Sequence, residues 1–323
     1  MAASTELASP AASAAGGTAA PAIDVQEVRK SYGDVRAVDG VTFQVAPGEI
    51  FGLLGPNGAG KTTTMEMLEG LHPPDSGRLT VLGLDVARQA VSIKERIGVQ
   101  LQTAALFPQL SVEELLHLFA SFYRRHGDVD ELLRSLDLEE KRSAQSKHLS
   151  GGQRQRLSVA LALVNDPEVV FLDEPTTGLD PAARRGLWQI ILGLKAQGRT
   201  ILLTTHYLEE AEAICDRVAI MDHGKILDIG TSSELISRRF HERAIQFDPI
   251  PALATGRLEA LPGVARVANE AGTTVLYTRD VPETIAGLLA VCAEVGAEPE
   301  NLLVRRATLE DVFLELTGRA LRD

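Results

Sequence analysis

From Ile23 onward the chain alternates short apolar runs with polar turns, and the spacing inside each run separates strands from helices. IDVQEVRKSY, residues 23–32, and VTFQVAPGEIFGLLG, residues 41–55, read as strands joined by turns. The second ends in a run of turn-forming residues, GPNGAGKTT, at 55–63, and TTTMEMLEGL after it has helical spacing. EVVFLDEP, residues 168–175, is an apolar strand that finishes in two acids. Just upstream, Leu157, Ala160, Leu161 and Val164 repeat at helical intervals behind Ser150, Gly151 and Gly152. The pattern is α/β.

Two stretches differ in texture. Between about 103 and 148 the chain is mainly helical, with SVEELLHLFASFYRR and DVDELLRSLDL both amphipathic and Ser111 with Glu114 forming a plausible capping box. Beyond about 237, RAIQFD, ALATGRLEALPG, VARVAN, TTVLYT, PETIAGLLAVCAEVGA and NLLVR follow one another as β-α-β-β-α-β, the order of a split βαβ sandwich. TLEDVFLELTG closes it as a helix, with Thr308 and Asp311 as an N-cap pair. Ile245, Phe247, Val312, Phe313 and Leu316 are expected to build the internal core of this small C-terminal α+β domain, or else to contact a second subunit directly. The first 22 residues are small and mostly uncharged, with no basic leader and no sustained apolar core, and read as a disordered tail rather than a signal peptide.

Strand, glycine-rich loop, helix is the context a phosphate-binding loop needs, because successive backbone N–H groups and the helix N-terminus both favour an anion. Gly55, Gly60, Lys61 and Thr62 satisfy the G-x-x-x-x-G-K-[ST] pattern, with Pro56, Asn57, Gly58, Ala59 and Thr63 completing the cradle. Lys61 would reach the outer phosphates and the Thr62 hydroxyl would meet Mg²⁺. Asp173 is placed to hold that ion, and Glu174 to orient or deprotonate an attacking water. Ser150, Gly151, Gly152 and Gln153 open a second helix with a second set of N–H groups. From the residues alone, this leaves either a second nucleotide or a second subunit sharing the first.

LSGGQRQR, Leu149 to Arg156, together with the phosphate loop and the acidic strand, resembles the nucleotide-binding subunits of ATP-binding cassette (ABC) transporters over residues 23–237. The resemblance implies a P-loop NTPase cassette with a mixed sheet core and a helical subdomain. It also implies a head-to-tail dimer in which Ser150 of one copy closes on the γ-phosphate held by the other. Further positions follow from it residue by residue. Tyr32 would lie against the adenine, Gln102 would sense Mg²⁺ and the attacking water, Asp180 in GLD would cross the dimer interface, and His206 would contact the γ-phosphate and brace Glu174. Gln100, two positions before Gln102, competes for the glutamine register.

Composition narrows the partners. Net charge is −12, which argues against broad nucleic-acid binding, and no apolar run is long enough to cross a bilayer. Cys215 and Cys292 lack metal-ligand spacing and suit a reducing compartment. The resemblance therefore implies a second copy or a homologous cassette as one partner and a separately encoded membrane permease as the other, at the cytoplasmic face of the membrane. Leu106 and Phe107 lie where a permease helix could dock, or they are ordinary core. ATLEDVFLELTGR, 307–319, resembles the closing segment of subunits serving drug, antibiotic, lipid and polysaccharide exporters. Importer, membrane-remodelling and soluble ribosome- or DNA-directed roles are the competing readings.

Overall fold

A computed structural model describes residues 20–101, 106–240, 242–270 and 272–318. The expected tail at 1–22 lies almost wholly outside them. β1 (Ile23–Tyr32) and β2 (Val35–Val45) form a hairpin, and β3 (Ile50–Leu54) leads through the glycine loop to α1 (Lys61–Leu68). β4 (Ser76–Val81), β5 (Leu84–Asp85), α2 (Val86–Lys94) and β6 (Ile97–Gln100) follow. The helical region is α3 (Val112–Ala120), α4 (Val129–Ser135) and α5 (Gly151–Leu163). Next come β7 (Val169–Asp173), α6 (Pro181–Ala196), β8 (Thr200–Thr205), α7 (Leu208–Ile214), β9 (Arg217–Asp222), β10 (Lys225–Gly230) and α8 (Ser232–Arg239). The last part is β11 (Arg243–Phe247), α9 (Thr255–Glu259), β12 (Val264–Glu270), β13 (Thr273–Thr278), α10 (Val281–Glu294), β14 (Leu303–Arg305) and α11 (Leu309–Thr317).

The central sheet runs β10-β9-β3-β8-β7-β6, parallel except for the β9–β10 pair. β3, β7 and β8 are buried along their whole length, as parallel strands covered on both faces must be, which is why they read as continuous apolar runs. The order places β3, β8 and β7 side by side. Their carboxyl ends therefore deliver the phosphate loop, His206 and the two acids to one edge of the sheet. A second, antiparallel sheet, β2-β1-β4-β5, packs across it.

The helical region has its own sequence logic. Ser111 Oγ accepts from Glu114 N–H at 3.2 Å, and Glu114 Oε2 accepts from Ser111 N–H at 2.8 Å, so the capping box forms. Leu115, Leu116, Leu132 and Leu133 turn inward onto α5 and the face of the central sheet. Leu106 packs partly against this cluster, whereas Phe107 is 54 % exposed, so the two residues divide between the alternatives.

Residues 243–305 form an antiparallel sheet in the order β12-β13-β11-β14, with Ile245, Phe247, Leu276, Leu288 and Cys292 in its core. The expected membership of that core needs one correction. Val312 and Phe313 on α11 do not join Ile245 and Phe247. They are buried with Leu54, Ala211, Val218, Ile220 and Leu235 of the cassette, and Leu316 packs beside them. An amphipathic helix must bury its apolar stripe, but the stripe does not say against what. The 237/238 boundary also falls inside α8, whose Arg239 reaches α11 through Glu315 at 3.6 Å.

Candidate active site

β3 gives way to Gly55, where a side chain has no room: an added Cβ would lie 2.3 Å from the Met221 carbonyl oxygen. Gly60 meets a second limit, because its φ of 101° is left-handed and a Cβ there would lie 2.3 Å from the Ala37 oxygen. Between them the loop turns tightly enough to start α1 at Lys61, whose first N–H groups have no intrahelical acceptor. Asn57, Gly58, Ala59, Gly60, Lys61, Thr62 and Thr63 line a cavity of about 540 Å³. Pro56 takes part through its carbonyl, which accepts from Lys61 Nζ at 3.2 Å, while that of Gly55 accepts at 2.7 Å. Burial pulls the Lys61 ammonium below its ordinary pKa, and the nearby carboxylates of Glu174 and Asp173 oppose this.

Pairing of β7 with β8 sets Thr204 beside Asp173. The Thr204 hydroxyl donates to Asp173 Oδ1, and the Thr62 hydroxyl lies 3.4 Å from the same oxygen. Burial raises the Asp173 pKa, and the Glu174 charge pushes the same way. Glu174 itself sits at φ 45°, a left-handed backbone that non-glycine residues rarely adopt and that costs about 1–3 kcal/mol. Its N–H donates to Thr204 Oγ1 at 2.9 Å, and Thr177 Oγ1 donates to its Oε2 at 3.1 Å. This carboxylate also faces two other groups: His206 Nδ1 is 3.3 Å from Oε2, and Lys61 Nζ is 3.7 Å from Oε1. Lys61 and Glu174 are both buried, so their attraction is only weakly screened.

The residues expected to act together thus separate into groups. Lys61, Thr62, Asp173, Glu174 and His206 converge. Ser150 does not line the cavity; it caps α5, accepting from Gln153 N–H at 3.2 Å while Gln153 Oε1 accepts from Ser150 N–H at 3.0 Å. Ser150 and Gly151 are exposed and Gly152 and Gln153 partly so. Asp180 caps α6, accepting from Ala182 and Ala183 N–H at 2.9 and 2.8 Å. Tyr32 closes β1, 46 % exposed, edge-on to His72 with ring centroids 6.4 Å apart. Gln102 lies outside the described residues, while Gln100 ends β6 and donates through Nε2 to the Leu101 carbonyl at 2.7 Å and the Asp173 carbonyl at 3.4 Å. Sequence reasoning missed Arg36, at the start of β2, and His223, in the turn between β9 and β10, which both line the cavity. Only the DHG turn, with His223 at φ 47°, marked either of them.

Residues 38–177 match the family model described as ABC transporter. The Nod factor export ATP-binding protein I of Ralstonia nicotianae is 42 % identical over 311 residues, covering 94 % of this chain and 96 % of the relative. The chain belongs to the ABC transporter family. A daunorubicin resistance ATP-binding protein of Streptomyces coeruleorubidus is 40 % identical over 304 residues, covering 92 % of this chain and 96 % of its own length. Among solved structures, an ATP-binding subunit of an ABC transporter is similar at 32 % identity and TM-score 0.60, covering 67 % of this chain and 92 % of that one. A dimeric ATP-binding cassette in a post-hydrolysis state with ADP and Pi is similar at 25 % identity and TM-score 0.59, covering 65 % and 98 %. This ABC subunit is an ATPase whose hydrolysis of ATP is coupled to transport.

Proposed function

We propose that two cassettes, this chain with a second copy or a homologue, close head to tail over ATP and drive export through a separate membrane permease. The observation that carries the catalytic reading is the carboxylate of Glu174, held between His206 and Lys61 at the mouth of the phosphate loop. Lys61 and the N–H groups of residues 58–63 hold the phosphates, and Tyr32 lies against the adenine. Glu174 accepts the proton of the attacking water, His206 fixes the direction of that carboxylate, and the partner's signature loop closes the site through Ser150.

The donor set near Thr62 fits Mg²⁺. A buried carboxylate with a raised pKa and two hydroxyls at one of its oxygens are hard ligands that gain from a divalent cation. No group of three or more His, Cys, Asp or Glu gathers among the described residues, in keeping with an ion shared with substrate phosphates rather than caged by protein. Thr62, Asp173 and Gln102 would hold it. When bound, the ion neutralises charge on the phosphate oxygens.

Export is supported by the extent of the likeness: relatives named for Nod factor export and daunorubicin resistance align with this chain through its C-terminal domain as well as its cassette. Among the described residues no helix is long and apolar enough to cross a membrane, and in this reading the cargo path belongs to the permease. The cargo class we favour is a drug, antibiotic, lipid or polysaccharide. Inside-out vesicles carrying the chain and its permease should accumulate such cargo with ATP outside. ATP-driven loss of preloaded cargo from the same vesicles would reverse the assigned direction.

A further inference from the structure

Glu210 is an acid where packing alone would choose an apolar residue. It lies on α7, one helical turn past His206, and is 0 % exposed. Its Oε1 accepts from Trp188 Nε1 on α6 at 3.0 Å. Burial raises its pKa, opposed by the hydroxyls of Thr205 and Thr176 and by the Trp188 N–H. Burying such a group costs several kcal/mol unless its polar atoms are satisfied. Yet Glu210 Oε2 and Thr176 Oγ1 are both buried with no hydrogen-bond partner among the described residues. The Thr176 hydroxyl thus lies near enough to lower the pKa of the carboxyl without closing a full hydrogen bond to Oε2.

Its neighbours are the exits of the three site elements. Thr176 is two residues past Glu174, Thr205 immediately precedes His206, and Trp188 stands on the helix that Asp180 caps. We propose that Glu210 is a positioning residue for hydrolysis, pinning the loop after Glu174, the strand end before His206 and helix α6 in one register. Lys61 and the phosphate loop do not touch it, so nucleotide binding is spared.

The inference rests on the reading that Glu174 and His206 serve hydrolysis, and the experiment separates the two. Full-length Glu210→Ala, Glu210→Gln, Trp188→Phe and Glu174→Gln variants are compared for kcat and for the Kd of a fluorescent ATP analogue. Glu210→Ala is expected to lose about tenfold or more in kcat with Kd held within about twofold. Trp188→Phe should lose kcat in the same direction, and Glu210→Gln, which keeps an acceptor for Trp188 and the volume, should recover at least about half of the parent value. Parent-like kcat in Glu210→Ala overturns the proposal, as does an equal loss of binding and turnover. If the alanine variant does not fold, parent-like kcat in Trp188→Phe overturns it. Persistent turnover in Glu174→Gln would instead sink the underlying catalytic reading.

Discussion

The backbone N–H of Leu309 donates to Glu212 Oε1 at 2.7 Å, fastening the last helix to the helix that follows His206. Thr308 N–H and its hydroxyl both donate to Asp311 Oδ2, at 2.8 and 3.0 Å, so α11 starts at a fixed point on α7. Beneath that point Val312 and Phe313 share one buried cluster with Leu54, the residue before Gly55. Helix α11 is thus part of the wall behind the phosphate loop.

Truncation after Ser237 consequently should damage the cassette itself. Burying Leu309, Val312 and Phe313 contributes at most about 1.5–3 kcal/mol each, together of the order of a whole domain's stability. The truncate is expected to aggregate or to melt well below the parent, and Phe313→Ala in the full chain to lose about 3–5 kcal/mol in urea titration. A soluble truncate with parent-like melting and ATP binding would show that α11 is dispensable packing.

Removing one carboxylate should separate binding from chemistry. Glu174→Gln keeps the shape beside His206 but loses the base, so turnover is expected to fall about 10²-fold or more while ATP affinity is retained. The variant should accumulate as an ATP-bound dimer in gel filtration. Lys61→Ala acts earlier, because it deletes the buried ammonium, and equilibrium titration should show weakened nucleotide binding. Hydrolysis within a few-fold of the parent by Glu174→Gln would remove its assigned role.

Glu69 predicts a pH dependence of stability. It closes α1, nearly buried, and burial raises its carboxyl to about 8, with Asp173 and Glu66 adding to the shift. The native chain then keeps a proton that the unfolded chain releases near its ordinary value of 4.5. Stability contributed by this group is complete below that value and is lost as pH rises toward about 8, at no more than about 1.4 kcal/mol per pH unit. Glu69→Gln cannot lose the proton, so it should gain on the parent across about pH 5–8 in urea titrations and level off above. Parallel stability profiles would mean that Glu69 is ionised in the native state.

What could be read from the sequence was what is contiguous. The phosphate loop, Asp173 with Glu174, and the Ser111 and Thr308 caps each carry their geometry within a few residues. Residues that meet only through the fold were harder. Arg36 and His223 reach the cavity from a strand start and a hairpin turn with no chemical spacing, and Glu210 sits in YLEEAEA, which reads as a solvated acidic helix until its partner Trp188 is placed opposite. The α11 stripe was legible as apolar, but its choice of the cassette over β11 depended on tertiary packing. Helix α3 stops at Ala120 although its amphipathic pattern runs on.

The last prediction concerns the second subunit. Ser150 and Gln153 cap their own helix and are absent from the cavity lined by Lys61, so one chain does not supply both halves of the expected site. If the halves come from different copies, each homodimer of Ser150→Ala or of Lys61→Ala has no intact site, because the same defect recurs in both. A mixed dimer pairs the sound Lys61 of one chain with the sound Ser150 of the other and regains one site. Random mixing in equal amounts should therefore restore about one quarter of the parent ATPase rate if the two sites act independently, since half the dimers are mixed and each carries half the sites. The control is a pair of mutants crosslinked as homodimers before mixing, which cannot exchange and should stay inactive. No recovery in the exchanging sample, with the crosslinked control equally inactive, would mean that Ser150 serves the nucleotide of its own chain.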